Sequence, residues 1–132
     1  MDPTAKKTIV EFDVRDYECD IEGIVNNAVY LNYLEHARHE YIKELGTDFL
    51  SLHRRGFDAV VTRIEIDYRA TLRSGDAISV TTKVERRGRY RFLFNQLIVR
   101  RSDETVAAAA MVYAAFLSNG RPVPPPPEFS NL

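Results

Sequence analysis

The sequence contains little cysteine and no long run of apolar residues. A single cysteine among 132 residues, Cys19, excludes an internal disulfide framework and favours a reducing compartment, so we expect a cytoplasmic protein. No apolar segment reaches the length of a membrane-spanning helix, and the opening MDPTAKKTIVEF lacks the apolar stretch of a signal peptide. We therefore predict no membrane span.

An excess of charge of either sign is also absent. The 18 Lys and Arg residues nearly balance the 19 Asp and Glu residues, which gives a net charge of -1 at pH 7. This balance argues against a nucleic-acid partner held by bulk positive charge, so anions would have to bind local clusters of basic residues. The hydrophobic fraction of 45% is ordinary for a globular chain. We predict one domain over residues 1–132.

Proline is scarce outside one segment. Of the 6 prolines, all but Pro3 lie in GRPVPPPPEFSNL at the C-terminus. Proline cannot donate a hydrogen bond within a sheet, and it favours the extended polyproline II conformation. We therefore predict that residues 120–132 form a tail that follows the last strand rather than joining the fold. A docking motif for a proline-binding partner is the alternative.

The first regular elements are a strand and a long helix. In KTIVEFDVRDY, apolar and charged residues alternate with the period of a half-buried strand. Farther along, apolar residues recur three and four positions apart, which predicts an amphipathic helix with Asn26 as N-cap and Gly46 just past its end. Leu31 and Ile42 widen its apolar face. The spaced residues are Tyr30, Leu34, Ala37, Tyr41 and Leu45.

Four further strands are predicted from Asp58 onward. The segments VVTRIEIDYRA, AISVTTKVE and FLFNQLIVR have strand character, and turn-forming residues separate them. The alanines of TVAAAAMVYAAFL are compatible with a helix by propensity, but Val106, Val112 and Phe116 favour a strand. One helix packed on five strands gives a two-layer α+β domain in which the alanines let the helix sit close. Because one helix cannot cover the whole sheet, we expect a homo-oligomer.

The connection between the first strand and the helix, ECDIEGIVNNAVYLNYLEHAR, is the most informative segment. Together with the order of elements, DYECDIEGIVNNAVYLNYLEHAR resembles the hot-dog-fold thioesterases, most closely the 4-hydroxybenzoyl-CoA thioesterase and YbgC-like acyl-CoA thioesterases. VNNAVYL is also similar to plant acyl-carrier-protein thioesterases. The resemblance implies the hot-dog fold, an antiparallel sheet of about five strands wrapped around one long central helix.

The resemblance also implies an activity and its residues. It implies hydrolysis of acyl-CoA without a metal or redox cofactor, coenzyme A being part of the substrate, at a subunit interface of a homodimer or homotetramer. Asp20 matches the catalytic carboxylate, as nucleophile or general base, and the backbone N–H of Asn27 matches the group that polarises the thioester carbonyl. The chemistry agrees, because the first turn of a helix presents unpaired N–H groups and a positive dipole end. Gly23 permits the tight bend.

One position departs from the family pattern. Many YbgC-like members carry a histidine where Asn27 stands in this sequence. Asparagine preserves a role for the backbone N–H, whereas a role for an imidazole side chain would be lost. Two other functions remain open: a thioesterase acting on acyl-carrier protein, and a hot-dog domain that binds acyl thioesters without hydrolysing them.

Other residues are weaker candidates. Glu35, on the helix, is an alternative catalytic acid if it faces the same cleft, although pairing with Arg38 is the commoner structural role. Cys19 is disfavoured as a nucleophile because strand alternation points it away from Asp20. His36 and His39 share a helix face, but their spacing matches no common zinc motif, so we predict no metal site. In ERRGRYRF, the arginines suited to the phosphates of coenzyme A are Arg87, Arg89 and Arg91.

Overall fold

The computed structural model describes residues 7–129, which form one antiparallel sheet and two α-helices. The elements are β1 (Lys7–Asp13), α1 (Asn27–Glu44), α2 (Phe49–Arg54), β2 (Asp58–Tyr68), β3 (Ala77–Arg87), β4 (Arg91–Arg100), β5 (Thr105–Ser118) and β6 (Arg121–Val123). Two single-turn 3-10 helices lie at Asp16–Glu18 and Pro127–Phe129. The strands lie in the sheet in the order β1-β3-β4-β5-β2, and the short β6 pairs with the end of β5.

The predicted order of one strand, one long helix and four strands is confirmed. Asn26 caps α1 as expected, because its Oδ1 accepts a hydrogen bond of 2.8 Å from the Ala28 N–H. Gly46 follows the helix with φ +93°, a conformation that glycine adopts without steric cost. The expected apolar face is buried except for Leu45, which is partly buried, and Leu31, which is 37% exposed, so the prediction that Leu31 widens the covered face is wrong. Among the described residues no helix has the length and apolarity that crossing a bilayer requires.

The alanine-rich segment is a strand, as predicted. β5 pairs with β4 on one side and with β2 on the other, so it is central in the sheet. Alanines at positions 107, 108, 110 and 114 are buried. Small side chains on this strand leave room for α1, and the position of the strand between two partners overrides the helical propensity of alanine.

The interior contains two apolar clusters. One surrounds the N-terminal half of α1 and includes Tyr33, Leu34 and Ile78. The other surrounds its C-terminal half, where the stacked rings of Phe92 and Phe116 lie 5.0 Å apart. Leu52 of helix α2 is fully buried in this second cluster. The sequence patterns had not predicted this short helix.

The prediction that the proline-rich segment stays outside the fold is wrong for residues 121–129. β6 pairs with β5, and Pro122 is tolerated because it lies on a three-residue strand. Phe129 is fully buried, with its ring 5.2 Å from Phe92 and 5.0 Å from Phe116. A large apolar side chain after the prolines therefore ties the segment to the core. Residues 130–132 lie outside the described residues.

Candidate active site

The loop that carries Asp20 is folded tightly on itself. The Asp20 carboxylate accepts a hydrogen bond of 2.9 Å from the Glu22 N–H, and its carbonyl accepts one of 3.0 Å from the Gly23 N–H. The Asp20 N–H donates to the Ile24 carbonyl at 2.9 Å. Gly23 has φ +80°, which is the bend expected of it from the sequence. These bonds hold the loop backbone in one defined turn.

The loop is also attached to the surrounding elements. The Asn26 N–H donates to the Glu18 carbonyl at 3.2 Å, and the Val25 N–H donates to the Leu72 carbonyl at 2.8 Å. The Glu18 carboxylate accepts hydrogen bonds from the Tyr33 hydroxyl at 2.9 Å and from the Arg15 N–H at 2.8 Å. Burial and the adjacent Glu18 carboxylate raise the pKa of Tyr33, so the phenol remains a donor. Helix α1 thereby anchors the loop.

Asp20 and Asn27 line the same cleft, named here the Asp20 cleft, of about 360 Å³. Asn27 is the first residue of α1, a position whose N–H has no acceptor four residues earlier in the helix. The structure therefore brings the predicted carboxylate and the predicted helix terminus to one cavity. The other lining residues are Ile24, Val25, Tyr30, Tyr68, Arg69, Ala70 and Thr71.

Two tyrosines join the end of β2 to the start of α1 at this cleft. The Tyr68 hydroxyl donates to the Asn27 carbonyl at 2.9 Å, and the Tyr68 ring meets the Tyr30 ring edge-on at 5.0 Å. Tyr30 is buried and donates to the Ala70 carbonyl at 3.2 Å, and burial raises its pKa. From the sequence either tyrosine could line an acyl pocket or fill the core, and the core is the commoner place for such side chains. Tyr68, 46% exposed, lines the cleft, whereas Tyr30 belongs to both.

The structure places Glu35 in a different cavity from Asp20. This distal cavity of about 310 Å³ lies farther along α1. Burial lowers the pKa of the neighbouring Arg38 guanidinium, and the negative charge of Glu35 opposes that shift, but the two side chains do not form the ion pair that the sequence suggested. Facing the same cleft as Asp20 was the condition for Glu35 as alternative acid, and the structure does not place it there. The cavity is lined by Glu35, Arg38, His39, Phe49, His53, Asp58, Ala59, Val60, Val61, Phe94 and Ala114.

The arginine hairpin, residues 87–91, lies far from the Asp20 cleft within one chain. Arg87 and Arg91 face each other where β3 ends and β4 begins. The Asp20 cleft lies at the opposite end of β3, where Asp13 pairs with Ala77. Ten residues of extended strand separate Ala77 from Arg87, which is roughly 33 Å. The structure therefore does not bring Arg87, Arg89 or Arg91 to Asp20 of the same chain, and their binding of coenzyme A stays a prediction. Arg69, which no sequence signal singled out, lines the cleft instead.

Cys19 and the paired histidines of α1 have packing contacts. Cys19 is half-buried against the apolar cluster around the start of α1. The His36 ring lies 5.6 Å from the Phe12 ring, and the His39 ring lies 4.8 Å from the Phe49 ring. Over residues 7–129, no three His, Cys, Asp or Glu side chains are grouped so that they could hold a metal ion.

An antiparallel sheet curled around one long helix defines the hot-dog class of proteins. Residues 14–131 match the model of the Thioesterase-like superfamily. The chain therefore belongs to that family, which confirms the resemblance seen in the sequence.

Similar sequences come from plants and bacteria. An acyl-acyl carrier protein thioesterase of Arabidopsis thaliana (ATL3, chloroplastic) is 35% identical over 115 residues, covering 86% of this chain and 60% of that protein. The acyl-CoA thioesterase YbgC of Haemophilus influenzae is 32% identical over 120 residues, covering 89% of this chain and 88% of that protein. The chain thus spans about 60% of the length of the plant relative.

Solved structures confirm the predicted hot-dog fold. A 1,4-dihydroxy-2-naphthoyl-CoA thioesterase from Synechocystis superposes with a TM-score of 0.89 at 17% identity, covering 94% of this chain and 93% of that one. A hypothetical protein from Aquifex aeolicus superposes with a TM-score of 0.85 at 26% identity, covering 92% and 94%. At 17% identity, the likeness to the Synechocystis enzyme shows a shared fold and nothing more.

Proposed function

We propose that this protein hydrolyses acyl-CoA thioesters to a carboxylic acid and coenzyme A in the Asp20 cleft. The observation that carries the proposal is that Asp20 and the first residue of α1, Asn27, line one cavity. Family membership supports the reaction class, and the bacterial relative named as an acyl-CoA thioesterase supports the thiol component.

The proposed chemistry uses the helix terminus and the carboxylate together. The thioester oxygen accepts a hydrogen bond from the Asn27 N–H, and the positive end of the α1 dipole stabilises the developing oxyanion. Such a donor contributes about 3–4 kcal/mol to transition-state stabilisation. Asp20 either attacks the carbonyl carbon, forming an anhydride that water then cleaves, or removes a proton from the attacking water. In both routes the thiolate of coenzyme A leaves and takes up a proton.

The proposal includes assembly and location. β2 forms one edge of the sheet over 11 residues, and such an edge is a ready site for pairing with a second copy. We therefore propose a homodimer or homotetramer with its active sites at subunit interfaces. A cytoplasmic location without a metal or redox cofactor completes the proposal, resting on the single cysteine and on chemistry that needs only a carboxylate and an amide.

Replacing the carboxylate tests the assignment. In Asp20→Asn, kcat/KM for acyl-CoA should fall by about 10²–10⁴-fold, because the amide is a poor nucleophile and a poor base. Glu22→Gln, an exposed substitution in the same loop, is the matched control and should change kcat/KM by less than about twofold. Unchanged turnover in Asp20→Asn would remove Asp20 from the reaction. Stoichiometric binding of acyl-CoA without release of thiol would instead favour a non-hydrolytic binding protein.

A second candidate function is hydrolysis of acyl groups carried on acyl-carrier protein. The plant relatives named as acyl-acyl carrier protein thioesterases, 35% and 36% identical, favour it. Both substrates present the same thioester to the Asp20 cleft, so they differ only in contacts outside it. Turnover of one acyl group on coenzyme A and on acyl-carrier protein, measured side by side, separates the two functions.

A further inference from the structure

One face of α1 connects the Asp20 cleft with the distal cavity. Asn27, Leu31, Glu35 and His39 are four residues apart in turn, so their side chains form one stripe along the helix. Asn27 lines the Asp20 cleft at one end, and Glu35 and His39 line the distal cavity at the other. Leu31 lies between them and is 37% exposed.

The inner face of β2 supplies the opposite wall. Ile64, Ile66 and Tyr68 pair with buried residues of β5, so they point toward the helix side of the sheet. Even so, Tyr68 is 46% exposed and Ile64 is 38% exposed. Val61, 47% exposed, continues the row to the distal cavity. Within one chain these apolar side chains remain open because α1 packs chiefly against β1, β3 and β4.

We name the space between these two rows the α1–β2 groove; the Asp20 cleft lies at its first end and the distal cavity at its other end. Tyr68 and Asn27 close its first end through their hydrogen bond of 2.9 Å. From Asn27 to Glu35 and Arg38 the helix rises by roughly 12–16 Å. That length matches an extended chain of about ten to twelve carbons, given C–C bonds of about 1.5 Å at tetrahedral angles. Between its two ends the exposed large side chains are apolar, Leu31 on α1 and Ile64 on β2, as a hydrocarbon chain requires.

The far end of the groove is polar and contains a buried charge. Arg38 is only 7% exposed, and it donates a hydrogen bond of 3.1 Å to Gln96 Oε1. Gln96 is held by the Leu34 carbonyl and by Thr82, each at 3.0 Å, so it presents a fixed, neutral acceptor. Within residues 7–129 no carboxylate forms an ion pair with Arg38. One neutral hydrogen bond only partly offsets the cost of burying the charged guanidinium. A further oxygen acceptor in the cavity would therefore be bound favourably.

The charges around the distal cavity decide which oxygen fits. Glu35 opposes the charge of Arg38, and Asp58 is hydrogen-bonded to His53. The cavity therefore has no excess positive charge, and Glu35 would repel a ligand carboxylate. A hydroxyl suits this arrangement better, since it accepts from Arg38 and donates to Glu35 without adding charge.

We propose that the α1–β2 groove holds the acyl chain of the substrate, and that Arg38 and Glu35 bind a hydroxyl group at the distal end of that chain. This inference rests on one part of the proposed function, namely that the thioester group of the substrate lies at Asp20 and Asn27. The hydroxyl of a single aromatic ring bound there would lie near Leu31, well short of the distal cavity. The groove thus selects a medium-length chain hydroxylated near its end.

Binding to the Asp20→Asn variant tests the polar end without requiring turnover. By titration calorimetry, ω-hydroxydodecanoyl-CoA should bind about fivefold to tenfold more tightly than dodecanoyl-CoA, as expected for a hydrogen-bonded hydroxyl. Adding Glu35→Leu, at an exposed helix position, should abolish that preference, and so should Arg38→Met if its melting temperature shows that it folds. Equal affinities for the two ligands, or a preference that survives Glu35→Leu, would overturn the hydroxyl site.

Blocking the groove tests the path of the chain. Ile64→Trp fills the groove midway, so the affinity for dodecanoyl-CoA should fall about tenfold while that for butanoyl-CoA changes by less than about twofold. Glu65→Trp, on the opposite face of β2, is the matched control and should leave both unchanged. The same loss for both ligands, or no loss, would show that the chain lies elsewhere.

The proposed function and this inference fail in different ways. If the wild-type protein releases no thiol from any acyl-CoA, the proposed function fails, and the binding series still decides the groove. If the wild type hydrolyses dodecanoyl-CoA but Ile64→Trp leaves its preference for chain length intact, the function stands and the groove assignment falls.

Discussion

The Asp20 loop and the arginine hairpin are both charged connections between regular elements, but the fold holds them very differently. The loop is bonded to Leu72 through Val25, and to α1 through the hydrogen bond from Tyr33 to Glu18. In the hairpin, Arg87 and Arg89 contact immediate neighbours. The Arg87 guanidinium lies 3.5 Å from Glu85, and the Arg89 guanidinium lies over the Tyr90 ring at 5.5 Å. Contacts with distant segments of the chain therefore fix the position of the loop. The side chains of Arg87 and Arg89 contact residues one or two positions away, and such contacts do not fix them in the same way.

This difference bears on catalysis. A reacting carboxylate has to be held within a fraction of an ångström of its target, and only contacts to separate elements provide that constraint. Exposed arginines can serve in binding without such support, because Coulomb attraction depends weakly on geometry at high dielectric. The loop should thus respond to mutation in kcat, and the hairpin in KM. Three experiments test this contrast, in order of decreasing expected effect.

Matched glycines provide the largest effect. Gly23 in the loop and Gly88 in the hairpin have φ of +80° and +76°, so alanine at either site costs about 1–2 kcal/mol of stability. In Gly23→Ala the turn that carries Asp20 shifts, and kcat should fall about tenfold or more. Gly88→Ala should lose comparable stability, measured by urea unfolding, with kcat unchanged. Equal kcat losses in both variants would mean that global stability, rather than the loop, controls turnover.

Removing one hydroxyl should give an intermediate effect. Tyr33→Phe deletes the donor to the partly buried Glu18 carboxylate, which should cost about 1–2 kcal/mol in the free energy of unfolding. Because Glu18 anchors the loop, kcat should fall about fivefold while KM stays nearly constant.

Tyr90→Phe in the hairpin is the control for that experiment. Its ring is partly exposed and packs beside Arg89, so we expect no measurable change in stability or turnover. A Tyr33→Phe enzyme with full kcat would show that the loop keeps its position without this anchor.

The smallest effect is expected from the hairpin arginines. Replacing Arg87, Arg89 and Arg91 together by alanine should raise KM for acyl-CoA about threefold, through a site that another subunit completes. An acyl N-acetylcysteamine thioester, which lacks the phosphates, should show no change in KM. Unfolding free energy should change by less than about 1 kcal/mol, because exposed ion pairs contribute little. If KM for acyl-CoA is unaltered, the hairpin has no part in binding coenzyme A.

Local patterns in the sequence predicted most of the fold, and the family resemblance indicated the core of the candidate site. Alternation predicted the strands, and the spacing from Tyr30 to Leu45 predicted α1 with its cap at Asn26. The resemblance indicated Asp20 and Asn27, and these residues do line one cleft. These features depend on neighbours within a few residues, so they can be read without knowledge of the fold.

Other features could not be read in that way. Phe129 looked like part of a detached tail, but its burial depends on the space between Phe92 and Phe116. Glu35 shares a helix stripe with Asn27, yet it lines another cavity, because the eight residues of helix between these positions span about 12 Å. The exposure of Leu31 likewise depends on which strands α1 covers.

Short-range patterns in the sequence are enough to predict β1 to β5, α1 with its capped start, and the acidic turn before it, because hydrophobic period, capping and turn chemistry act over short distances along the chain. The packing of the whole chain is needed to show that α2 and β6 form, that Tyr68 reaches Asn27, that the arginine hairpin lies at the far end of β3, and that α1 leaves most of β2 uncovered. These features depend on segments far apart in sequence, and they follow from how the whole sheet packs around one helix.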